Sequence, residues 1–158
     1  MASSHDETEG ELRIDYGGLE NSTGFLITIA QVEVFRNVES ALTPFGLSPG
    51  AASALILIGR NPGIQHGALA KALNIKLARM TKLIKAFEKR GLVDRHNPVR
   101  DRRIVELTLT DEGRLVTDRV APCLLSRDAR NTENFKETET FEFRRLLKKY
   151  TGFDQPSG

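Results

Sequence analysis

The sequence predicts a mainly α-helical chain with one small β-wing, and three observations carry that expectation. Apolar residues recur three and four apart through most of the 158 residues. Around residues 92–109 the pattern changes to alternation on either side of a turn containing Asn97 and Pro98. Between residues 64 and 91 two short helical patterns flank Asn74, a residue type that tolerates the left-handed conformation of a sharp corner. Two short helices around a tight turn, then a hairpin with a basic tip, then the cap of a long helix, is the order of a winged helix-turn-helix.

Residues 1–11 are small, polar and acidic, and are expected to form a disordered tail. Asn21, Ser22 and Thr23 offer caps for a long helix ending near Leu42, with Phe25, Ile29, Val32, Phe35, Val38 and Leu42 three or four apart. Pro44, Phe45 and Gly46 break it. Ser48 and Pro49 then form a helix start, a hydroxyl at N-cap and proline at the first helical position. The segment after them, residues 51–58, is apolar nearly all round and predicts a helix buried on most sides. Asn61, Pro62 and Gly63 close it, and Ile64 with Gln65 has the place of a short third strand beside the hairpin.

Leu69, Ala72 and Leu73 give the stripe of the first short helix; Met80, Leu83, Ile84 and Phe87 give that of the second. Opposite the second stripe stand Lys76, Arg79, Lys82, Lys85 and Lys89, with Glu88 the one acid between Lys76 and Arg90. A solvated face on a packed helix accounts for most charge runs. This one, however, lies on the second helix of a helix-turn-helix, the helix that enters a major groove. Lys76, Ala78, Arg79, Thr81, Lys82 and Lys85 are therefore the candidate groove and phosphate contacts. Gly91 ends that helix, and a strand begins at Leu92 and Val93. Arg100, Asp101, Arg102 and Arg103 form the basic tip, and Val105, Leu107 and Leu109 alternate along the returning strand. Thr110 caps the next helix, with Asp111 and Glu112 suited to its dipole.

Leu115, Val116, Val120, Leu124 and Leu125 mark that helix, which Pro122 should kink or split. A last helix is expected over residues 134–150. Its acids, Glu137, Glu139 and Glu142, precede its bases, Arg144, Arg145, Lys148 and Lys149, in the order that complements a helix dipole. Phe141, Leu146, Leu147 and Tyr150 are its apolar side. The chain thus divides into a tail (1–11), an N-terminal helical region (12–47), the winged unit (48–113) and C-terminal helices (114–158). The winged unit is small, and the flanking helices carry more apolar surface than it can cover. They could pack within one protomer or interlock with those of a second copy; a two-fold dimer would set two recognition helices one DNA turn apart.

Arg90, Gly91, Leu92 and Val93, then Asp101 and Arg103 as D-x-R, then Leu109, Thr110 and Gly113 as L-T-x-x-G, stand at spacings that resemble the MarR (multiple antibiotic resistance regulator) family of bacterial transcription factors. The resemblance extends over about residues 22–150. It implies a homodimeric regulator, more often a repressor, on palindromic double-stranded DNA. It also implies that Asp101 orients the wing while Arg103 enters a minor groove, with Arg100 or Arg102 as alternative contacts. The plain alternative is that Arg103 only pairs with Asp101. By the same resemblance, a small aromatic or anionic effector would bind between the dimerisation helices and the winged unit, drawing on Phe25, Ile29, Phe35, Leu55 or Leu115; ordinary core is the plain alternative for each.

Composition bounds the rest. Charged residues at 28% and hydrophobic residues at 39% fit a globular domain, and no apolar run approaches the roughly 20 residues of a membrane span. The N-terminus lacks the basic and apolar regions of a signal peptide, so a cytoplasmic protein without membrane contact is expected. Residues 1–59 hold 2 basic and 8 acidic side chains, residues 60–119 hold 14 and 7, and residues 120–158 hold 7 and 6. Positive charge is thus concentrated on the segment assigned to DNA. A single cysteine, Cys123, excludes an intrachain disulfide and a thiolate zinc cluster, and its apolar neighbours predict a buried filler. His5, His66 and His96 are scattered, with none at metal-ligand spacing: a tail residue, a helix-start residue, and a strand-end or phosphate-near residue. Phosphate loop, nucleophile elbow and dinucleotide fingerprint are absent, so neither an enzyme nor a cofactor is expected. Two other readings stand beside the regulator: a winged-helix module for protein contacts, and a nonspecific architectural DNA binder.

Overall fold

The computed structural model describes residues 14–97 and 104–153, with the backbone alone at residue 128. The acidic tail and the wing-tip residues Arg100, Asp101, Arg102 and Arg103 lie outside the described residues. The chain forms two compact units, one ending at Val32 and the other starting at Glu33.

The first unit opens with a 3-10 turn at Leu19–Asn21 and continues into α1 (Thr23–Leu42), which runs on into the second unit. The Ser22 hydroxyl accepts the Phe25 amide at 3.4 Å, the expected cap. The Phe25 ring lies tilted against Tyr16, with centroids 6.0 Å apart. Of the six apolar positions expected along α1, only Val38 and Leu42 are buried; Ile29, Val32 and Phe35 are about half exposed.

In the second unit, α2 (Pro49–Arg60) starts as its sequence requires, with the Ser48 hydroxyl accepting the Ala51 amide at 3.3 Å and proline at the first position. Ala51, Ala52, Ala54, Leu55 and Ile58 are buried, making α2 the centre of the core. Strand β1 (Ile64–Gln65) leads into α3 (His66–Ala72) and α4 (Leu77–Lys89). Asn74 turns the corner at φ 50°, the one non-glycine residue with positive φ among the described residues. Met80, Ile84 and Phe87 enter the core and Leu83 packs at its edge. On α3 the buried pair is Leu69 and Ala70, whereas Ala72, expected inward, faces solvent.

Strands β2 (Val93–His96) and β3 (Glu106–Leu109) are antiparallel, and β1 pairs on the far side of β3, giving the order β1-β3-β2. Val93 opposes Leu109 and Arg95 opposes Leu107; Val93, Leu107 and Leu109 are all buried, so this face of the sheet looks into the core. Next comes α5 (Asp111–Ser126), whose start is fixed to the root of the wing. The Thr110 hydroxyl accepts the Gly113 amide at 2.9 Å and donates to the Gly91 carbonyl at 2.6 Å, while the Thr110 amide donates to the Leu92 carbonyl at 3.1 Å. Gly113 is required at this contact. A Cβ on it would lie 1.9 Å from the Leu92 carbonyl oxygen.

Of the kink or split expected at Pro122, the split does not occur, since α5 continues to Ser126. Proline there withdraws one donor from the Asp118 carbonyl, and Asp118 is exposed, so water can replace it. A 3-10 segment, Arg127–Thr132, takes up the residues before α6 (Glu137–Thr151). That helix therefore starts three residues later than expected, where the Glu139 carboxylate accepts the Lys136 amide at 2.8 Å. None of the residues of α6 is buried.

Candidate nucleic-acid interface

Two short helices, a corner and a sheet set the exposed side of α4. With Met80, Ile84 and Phe87 drawn into the core, helical geometry turns Ala78, Lys82, Lys85 and Lys89 to the opposite side. Lys76 and Arg79 are also exposed at the start of the helix. Glu88, the one carboxylate of α4, faces Arg95 of β2 at 3.6 Å, which leaves the exposed face cationic. The far end of α4 is anchored. Arg90 donates to the Phe45 carbonyl at 2.6 Å and to the Gly46 carbonyl at 3.2 Å, and Arg119 of α5 lies 5.2 Å over the Phe45 ring.

Lys76, Ala78, Arg79, Lys82 and Lys85, the expected groove and phosphate contacts, are all exposed on α4 or at its N-cap. Thr81 is placed differently. It is half-buried, its hydroxyl donates to the Leu77 carbonyl at 2.9 Å, and the His66 Nε2 lies 3.5 Å away. Arg100, Asp101, Arg102 and Arg103 fall outside the described residues. Leu77, at the first turn of α4, is 53% exposed and escapes sequence reasoning, because a leucine three residues before Met80 continues the apolar stripe. Arg95 and His66 escape it as well. The available signal is strand alternation, which gives Arg95 the same side as Val93.

The positions named for an effector do not share one environment. Leu55 is wholly buried in the core, Phe35 is about half exposed and Leu115 more so; in the first unit, Phe25 touches Tyr16 and Ile29 is half exposed. Cys123 is half-buried rather than the wholly buried filler expected, because Leu125 beside it points to solvent while Val120 and Leu124 meet the core. Among the described residues no group of three or more His, Cys, Asp or Glu side chains could hold a metal ion. No single helix among them is long and apolar enough to cross a membrane.

The MarR family model matches residues 47–105. The HTH-type transcriptional repressor Rv2887 of Mycobacterium tuberculosis is 27% identical over 126 residues, which cover 80% of this chain and 91% of that protein. The transcriptional repressor CouR, solved on a 23-mer DNA duplex, superposes with a TM-score of 0.81 at 28% identity, covering 89% of this chain and 99% of the other. Rv2887 solved with p-aminosalicylic acid superposes at 0.65 with 26% identity, covering 82% and 98%.

Proposed function

We propose that the chain is a member of the MarR family of winged helix-turn-helix regulators, and that it is a homodimeric transcriptional repressor of palindromic DNA in the cytoplasm. The family model over residues 47–105 and relatives at 27–28% identity support the membership. The carrying observation is the cationic face of α4, turned outward by its apolar stripe and left with no unengaged carboxylate. Arg79 reads a base, since its fork can bond guanine at two points. Lys76, Lys82 and Lys85 hold phosphates, and Ala78 lines the groove side of the helix. Leu77 adds an apolar contact of the kind that suits a thymine methyl. Arg100, Arg102 and Arg103 reach the minor groove and backbone, oriented by Asp101.

Support for a second copy comes from α6, where Phe141, Leu146, Leu147 and Tyr150 are exposed on a helix with no buried residue. A helix this short is marginal alone in water, so its apolar side calls for a partner. For an effector, the support is a relative: Rv2887 has been solved with p-aminosalicylic acid and with salicylic acid. A small aromatic carboxylate is the proposed class. In the second unit Phe35 and Leu115 have surface to offer it, whereas Leu55 has none. Selection from random duplexes tests the function. An inverted repeat with half-sites about 10 base pairs apart is the expected product; an enriched pool without symmetry would sink the dimeric repressor, and no enrichment would sink sequence-specific binding.

A further inference from the structure

We propose that His66, Thr81 and Arg95 form a seat for a backbone phosphate of duplex DNA, set between the recognition helix and the wing. The proposal rests on the DNA-binding reading above and adds a site to it. The three residues come from α3, α4 and β2 and, with Ile84, line an open surface cleft.

Arg95 is the unusual member. Its register opposite Leu107 points it to the core-facing side of the sheet, where its neighbours are buried and apolar. Its side chain is accordingly only 34% exposed. Among the described residues its one ion-pair partner is Glu88, at 3.6 Å, too long for a hydrogen bond. A guanidinium has five donors in a planar fork that matches a phosphate. A partly buried arginine with one loose carboxylate partner is thus prepared for a second, better acceptor.

His66 supplies the other donor. The Thr81 hydroxyl already donates to the Leu77 carbonyl, so its oxygen is left to accept, and a neutral His66 ring with its proton on Nε2, 3.5 Å away, suits that contact. Protonation then adds an N–H at Nδ1. Burial first, and the charge of Arg95 second, hold the His66 pKa below its ordinary value. Other charged and titratable groups on the surrounding elements are Arg60 at the end of α2, Lys71 on α3, Arg79, Lys82, Lys85, Glu88 and Lys89 on α4, Asp94 and His96 on β2 and Glu106 on β3. Asp94 pairs with Thr108 on the outer face of the sheet, away from the ring.

A phosphate in the seat brings negative charge beside the imidazole and favours its protonated form. The pKa then rises on binding, so the complex takes up a proton between the free and bound values. Affinity for DNA increases as pH falls through that window and levels off below the free value. Phosphate contacts are indifferent to sequence, so the probe is a labelled random-sequence duplex of about 25 base pairs.

Anisotropy titrations at fixed ionic strength, from about pH 8 to about pH 5.5, compare the wild type with H66Q and R95M. The wild type should gain at least about threefold in affinity across that range and H66Q should not. R95M should lower the slope of log affinity against log salt by about 1. In the wild type, the His66 imidazole signal followed by NMR should titrate at higher pH with duplex than without. An equal gain in H66Q, or a His66 pKa unmoved by duplex, would overturn the seat while leaving DNA binding intact. No wild-type binding at any pH would overturn the DNA-binding reading itself.

Discussion

Gly113 joins the recognition helix, the wing and α5 at one point. The space a side chain would need is already filled by the Leu92 carbonyl oxygen, and this backbone has no flexible end that can move aside. G113A should therefore destabilise the fold by about 2–3 kcal/mol, as overpacking does, read from urea unfolding. A loss below about 0.5 kcal/mol would mean that the root of the wing is looser than its contacts show. The L-T-x-x-G pattern was legible in the sequence, with its threonine as an N-cap. Its other half was not, because the Thr110 bond to the Gly91 carbonyl joins residues 19 apart. On the exposed face the expected roles are separable. R79A should cost about 1–3 kcal/mol on the preferred duplex and relax its sequence preference, while K85A should weaken preferred and scrambled duplexes alike. Anisotropy on both duplexes checks the pair, and equal losses from R79A on the two would remove it from base readout.

At the scale of elements, helical spacing and caps identified the long helices because these signals are local. Ser48, Thr110 and Asn74 each do what their side chains allow: α2 and α5 begin at their hydroxyl caps and the chain turns between α3 and α4 at Asn74. Spacing misleads where neighbours decide. Ala72 fits a stripe, but α3 is a single short element held between α2, α4 and β1, and these contacts select Ala70 instead. Arg95 is the reverse case. Its charge argues for solvent, and although the register of β2 sets it on the core-facing side of the sheet, the residue stays exposed at the edge. The apolar positions on α6 are legible too, yet the protomer buries none of them. If they meet a second copy, replacing Leu146 and Leu147 together by aspartate should turn a dimer into a monomer in sedimentation velocity. Duplex affinity should fall at least about tenfold, since half the contacts are lost. A wild-type monomer at micromolar concentration, or an unchanged dimer in the variant, would refute that use of α6.

Across the whole molecule, charge separates from apolar surface. Acidic side chains outnumber basic ones in residues 1–59, and the surplus of positive charge falls in residues 60–119 with the helix-turn-helix and wing. The core around α2 holds α4 and the sheet in register, so the cationic face is presented by packing rather than by a loop. Two such faces related by a two-fold axis would read two half-sites, and salt-dependent attraction alone would read none. That difference is measurable in one comparison at near-physiological salt: fluorescence anisotropy of the wild type on a selected inverted repeat against a scrambled duplex of equal length. A preference of about 10³ or more is the predicted result for a dimeric, sequence-reading repressor. Equal affinity for the two duplexes would contradict it.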